Sequence, residues 1–179
     1  MPTGKNPDTA ARTQWEAEFH RIIDQHRSSP ALVMWVDENE GWGQYDQARI
    51  ADDAKAYDPS RLVDNTSGIN CCGAVDGGNG DVLDLHIYVG PGATRPSGTR
   101  AAVLGEFGGL GLRVAGHEWS PGNGFSYEDQ ASAARLNDRL NGLYEQIRTG
   151  GMPQGLSASG PVATAGSHGF VGAGHSSAP

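Results

Sequence analysis

Val33-Met34-Trp35-Val36-Asp37-Glu38-Asn39-Glu40-Gly41-Trp42-Gly43 is an apolar run that ends in acids, an amide, glycines and an indole. The run from Ala31 to Val36 is long enough for one buried strand and too short for a buried helix. Its acids therefore stand at the carboxyl end of a strand, where parallel α/β folds build their sites. Ala101-Ala102-Val103-Leu104-Gly105-Glu106-Phe107-Gly108-Gly109 repeats the design, with one carboxylate among glycines. Two carboxylates on two strand ends is the arrangement that glycoside hydrolysis uses.

Outward from these stretches the periodicity gives an element order. Trp15, Phe19, Ile22 and Ile23 define one face of a helix over Thr9–His26, with Asn6 as cap and Pro7 in the first turn. A helix from Gln44 to Tyr57 carries Ile50, Ala54 and Tyr57 at helical spacing, and Asp58-Pro59-Ser60 ends it. Arg61–Asn65, Val82–Val89 and Ala101–Glu106 read as short strands. Ser67 to Gly80 and Phe107 to Phe125 read as loops, the second carrying His117 and Trp119. A last helix, Tyr127 to Arg148, carries Leu136, Leu140, Leu143, Tyr144 and Ile147. Mostly apolar short strands predict a parallel sheet buried on both faces. A doubly wound sheet accommodates this order, but spacing favours a barrel: roughly 30 residues per strand matches the roughly 31 of a (β/α)8 barrel. The expectation is an α/β fold, a partial TIM barrel of about four strands with flanking helices.

The chain has 179 residues, 37% of them apolar, and a formal charge of −8. That balance argues against nucleic-acid or anionic-membrane partners. No apolar run of about 18 residues and no signal-type segment is present, so the default location is cytoplasmic. Cys71 and Cys72 are adjacent and read as two free thiols in a loop, since disulfide geometry wants Cα atoms farther apart than neighbours sit. Residues 1–156 read as the folded domain. Residues 157–179, rich in Gly, Ser and Ala, show no helix or strand period and read as a disordered tail or the product of a shifted reading frame.

Trp35-Val36…Asn39-Glu40-Gly41-Trp42-Gly43, Asp84-Leu85-His86-Ile87-Tyr88 and Leu104-Gly105-Glu106-Phe107-Gly108-Gly109 together resemble the catalytic barrel of glycoside hydrolase family 2, the β-galactosidase, β-glucuronidase and β-mannosidase group. Asp58-Pro59-Ser60-Arg61-Leu62-Val63 is similar to that family's link into its fifth strand. The resemblance implies strands four to seven of the barrel and retaining hydrolysis of a carbohydrate substrate. Glu40 would be the acid/base and Glu106 the nucleophile. Asn39 would hold the sugar 2-hydroxyl and Tyr88 would hydrogen-bond the nucleophile, with His86 and Trp42 as further substrate contacts. No metal or organic cofactor is implied.

The chain departs from the family pattern at Asp37-Glu38, which read as solvated rim charges or relaxed selection. Acids so near Glu40 would raise its pKa or displace it. Half a barrel would be inactive or weak alone. The alternative is a non-catalytic remnant that binds sugar, and open edges would favour self-association.

Overall fold

A computed structural model describes residues 6–90, 94–118, 121 and 123–150. The 157–179 tail and Trp119 lie outside the described residues. In chain order the elements are α1 (Thr9–His26), β1 (Met34–Val36), α2 (Gln47–Tyr57), β2 (Leu62–Asp64), β3 (Val82–Ile87), β4 (Ala101–Phe107), β5 (Leu110–Leu112), β6 (Glu128–Gln130) and α3 (Ala133–Gly150). This is a mixed α/β fold. Every strand pair is parallel: β1 with β2, β3 with β4, β5 with β6. Among the described residues the strands do not close into a barrel. No described helix is long and apolar enough to cross a membrane.

β1, α2 and β2 form a crossover unit, in which a helix carries the chain back so that a second strand can run parallel to the first. Its core is Ala51, Ala54 and Val63, with Phe19 of α1 packed against them. Asp58 pins the unit where α2 ends. It accepts from Trp35 Nε1 at 3.0 Å, from Ser60 Oγ at 2.5 Å and from Arg61 Nη1 at 3.1 Å. Hydrogen bonds from Ser60 first, with Trp35 and Arg61 adding to them, hold its carboxyl down at about 2.

The expected run of neighbouring strands is interrupted between β2 and β3. Asp81 spans the gap: its backbone N–H donates to Val63 O (2.8 Å), its carboxylate accepts from Val63 N (2.8 Å), and its carbonyl accepts from Ala101 N (3.0 Å). One residue thereby fastens the two halves of the layer.

Three expectations change. Asp8, not Asn6, caps α1, accepting from Ala11 N at 2.8 Å. α3 begins at Ala133, because residues 128–130 pair with 110–112 inside what reads as a loop. The two cysteines are not free: Cys71 and Cys72 are joined in a disulfide. They sit in a tight turn, with Cys71 N donating to Gly68 O and Ala74 N to Cys71 O, both at 2.9 Å. Cys72 takes a left-handed φ of 59° there, a conformation that sequence spacing does not reveal.

Candidate active site

Glu40 follows β1 in a turn where its own φ is 53°. The turn is tied to the segment after β2 by a parallel bridge, Asn39 to Ser67, with Glu40 N donating to Ser67 O at 2.9 Å. His86 and Tyr88 come from the end of β3, and Glu106 from the end of β4.

The register explains how they converge. Leu85 pairs with Leu104, but His86 pairs with Glu106, so Gly105 is an extra residue in β4. Such a bulge re-aims the side chain after it. Gly105 is required by what crosses it: a Cβ there would lie 2.1 Å from Asp84 Oδ2, and Gly105 N donates to Asp84 Oδ1 at 3.0 Å. Gly68 serves His86 in the same way, since a Cβ on it would meet the imidazole at 2.4 Å. Asn70 holds the His86 backbone from both sides, at 2.8 and 2.9 Å.

The result is a compact cluster. Glu40 Oε1 lies 2.8 Å from His86 Nδ1 and 3.0 Å from the Tyr88 hydroxyl. The same hydroxyl lies 2.5 Å from Glu106 Oε2. Ligand atoms of Glu40, His86 and Glu106 all fall within 4.8 Å of one another, so the trio could also hold a cation. A second such group is Glu40 with Cys71 and Cys72. One phenolic proton cannot serve two acceptors at once. The bridge is therefore fully made when one of the two carboxyls carries a proton: Tyr88 donates to the charged one and accepts from the neutral one.

Burial pushes the Glu40 carboxyl up, but hydrogen bonds with His86, Tyr88 and Trp42 outweigh it and the net direction is down. That is opposite to the rise that nearby acids would cause. His86, Tyr88 and Trp42 set the direction at Glu40, and Asp37 and Glu38 are buried, 6% and 9% exposed, rather than solvated on a rim. Burial, with Glu38 and Asp53 nearby, raises Asp37 to about 8. Burial raises Glu38 to about 7, although its Oε1 accepts from Tyr45 N at 3.1 Å. Burial raises the carboxyls of Asp64 and Asp84 as well; the charge of Asp84 adds to the rise at Asp64, whereas His86, the Gly105 N–H and the hydrogen bond with Asp64 hold Asp84 back.

The outer residues are placed as follows. Asn39 is exposed, and its Oδ1 accepts from Ser67 Oγ at 2.7 Å, which turns the amide N–H2 into its remaining donor. Trp42 donates from Nε1 to Glu40 Oε2 at 3.3 Å while its ring stays 53% exposed. Tyr127 stacks on Tyr88 at 3.7 Å between centroids. An open depression lined by Asp46, Ala48, Arg49 and Asp76 contains none of these residues. Sequence reasoning missed Ser67, Asn70 and Tyr127, all on irregular segments whose contacts come from the tertiary fold. Only the glycine-rich composition around residue 70 hinted that backbone passes close to something there. No protein-family model matches the chain, and no curated protein matches it.

Proposed function

We propose that the chain is a retaining β-glycoside hydrolase centre, carried on part of a (β/α)8 barrel whose fourth to seventh strands are β1 to β4. The observation that supports it is the approach of Glu40 and Glu106 to within 4.8 Å between nearest oxygens. Retaining enzymes hold their two carboxyl groups about 5–5.5 Å apart, and inverting enzymes about 6.5–9.5 Å. Glu106 attacks the anomeric carbon as the bond to the leaving oxygen breaks, and Glu40 gives that oxygen its proton. Water then attacks the glycosyl ester, Glu40 takes the water proton, and Glu106 leaves as carboxylate.

Tyr88 steadies this cycle by holding both carboxyls through one hydroxyl, 2.5 Å from Glu106 Oε2 and 3.0 Å from Glu40 Oε1. His86 Nδ1, 2.8 Å from Glu40 Oε1, donates to that carboxyl and holds it in place. The Asn39 amide reaches for the sugar 2-hydroxyl, and the exposed face of Trp42 stacks on a sugar ring.

The test is covalent trapping, which reads even slow turnover. The chain is incubated separately with 2-deoxy-2-fluoro β-galactosyl, β-glucuronyl and β-mannosyl fluorides and examined by intact and peptide mass spectrometry. One glycosyl adduct on Glu106, absent in Glu106→Gln, is expected with at least one sugar. No adduct with any of the three, together with no hydrolysis of the matching aryl glycosides, overturns the reading and leaves a sugar-binding or merely folded domain.

A further inference from the structure

Beside the carboxylate pair stands a sulfur pair that the glycosidase chemistry does not use. Cys72 Sγ lies 3.9 Å from Glu40 Oε2, and sulfur and carboxylate atoms of Cys71, Cys72 and Glu40 all fall within 4.8 Å. The turn that carries the sulfurs is held in place. Gln44 clasps Val75 with both ends of its amide, Nε2 to Val75 O and Val75 N to Oε1, each at 2.8 Å. Asn70 fastens the other side to His86. Cys72 is exposed and Cys71 half-buried, so a reductant can reach the bond.

We infer that the reduced Cys71–Cys72 pair and Glu40 form a binding site for a thiophilic divalent cation such as Zn2+, and that the disulfide abolishes it. A small dithiol supplies the two electrons. The Cys71–Cys72 bond breaks, the donor's sulfurs join in a disulfide, and the donor's two protons pass to the two cysteine sulfurs. The cation then displaces both protons to solvent and binds the thiolates. Tetrahedral zinc with Zn–S near 2.3 Å wants sulfurs about 3.8 Å apart, and a carboxylate oxygen at roughly 2.0–2.2 Å completes three protein ligands with one open position. Reduction frees the two sulfurs to separate to that spacing beside Glu40, whereas a disulfide offers no thiolate at all. Occupancy takes the Glu40 carboxylate out of acid/base work.

The site is tested by binding alone, so its fate is separate from that of the glycosidase reading. The full chain is reduced with a phosphine, desalted without oxygen, and titrated with Zn2+ against a chromogenic chelator and with Co2+ by absorption. One Zn2+ per chain is expected, at least ~100-fold tighter than for the oxidised chain, with a sulfur-to-cobalt charge-transfer band. Cys71→Ser/Cys72→Ser should lose the band and bind as the oxidised chain does. Glu40→Gln keeps both thiols and should keep the band while losing about 10-fold or more in affinity. Equal affinity in the two redox states, or no loss in Glu40→Gln, overturns the site.

Discussion

Glu40 Oε1 and Glu106 Oε2 flank a single phenolic hydroxyl, at 3.0 Å and 2.5 Å. Tyr88 thus ties together two carboxylates from different strands. Removing that hydroxyl should cost more than a core tyrosine would. Tyr88→Phe is expected to slow trapping by a fluoroglycoside about 100-fold, the usual size for losing one positioned donor, while the melting temperature changes little. An unchanged trapping rate would make Tyr88 a packing residue only.

The pH profile carries a signed expectation. Burial raises the Glu40 carboxyl, and hydrogen bonds from His86, Tyr88 and Trp42 bring it below the ordinary 4.5. In the proposed role of general acid Glu40 works while protonated, so kcat/KM should fall as pH rises through this lowered value, giving an acidic optimum. His86→Phe removes a hydrogen-bonding partner and keeps the burial, so the falling limb should move to higher pH. A limb that stays put would mean that another group sets it.

Stability should fall on the alkaline side. Asp37 and Glu38 have folded-state values of about 8 and about 7, above their unfolded values, mainly because they are buried. Between those limits the folded chain holds more protons than the unfolded one. Stability therefore decreases as pH rises from about 4 toward 8, by several kcal/mol at about 1.4 kcal/mol per pKa unit. Asp58 has the opposite sign: its folded value of about 2 contributes stability that is lost as pH falls from the ordinary 3.8 toward 2. Urea unfolding from pH 3 to pH 9 should find a maximum in the mildly acidic range. Asp37→Asn should flatten the alkaline fall, and an unaltered slope would count against a buried, protonated Asp37.

Gly105 and Asp84 should be coupled. A Cβ at position 105 would lie 2.1 Å from Asp84 Oδ2, so Gly105→Ala should cost about 2–4 kcal/mol through a forced shift. Adding it to Asp84→Ala, which clears the space, should cost far less than it does alone. Additive losses in the double-mutant cycle would refute the contact.

The open side of β1 should pair with another copy of the chain. Among the described residues β1 pairs as a strand only with β2, and Val33, Val36 and Leu62 are exposed beside it. Unpaired, uncharged edges invite such pairing. Sedimentation should show concentration-dependent association that Val36→Lys weakens. A monomer at every concentration would rule this out.

Much of the molecule is local and was therefore legible from the chain. α1 falls on the residues its apolar spacing marks, and β1 to β4 fall on the apolar runs, because a strand or helix must present a buried face wherever it packs. Glu40 and Glu106 stood out at strand ends among glycines for the same local reason. What the sequence by itself determined stops at those elements. The tertiary structure alone decided that the Gly105 bulge turns Glu106 toward His86, and that Asp81 replaces a strand ladder. It also decided that Asp37 and Glu38 lie buried and that Cys71 and Cys72 join beside Glu40. Each of these depends on contacts between segments far apart in the chain, and side-chain burial, proton sharing and sulfur proximity exist only once those segments meet. The stretch from Val33 to Gly43 thus names a carboxylate, and the fold supplies the hydroxyl, imidazole and second carboxylate around it.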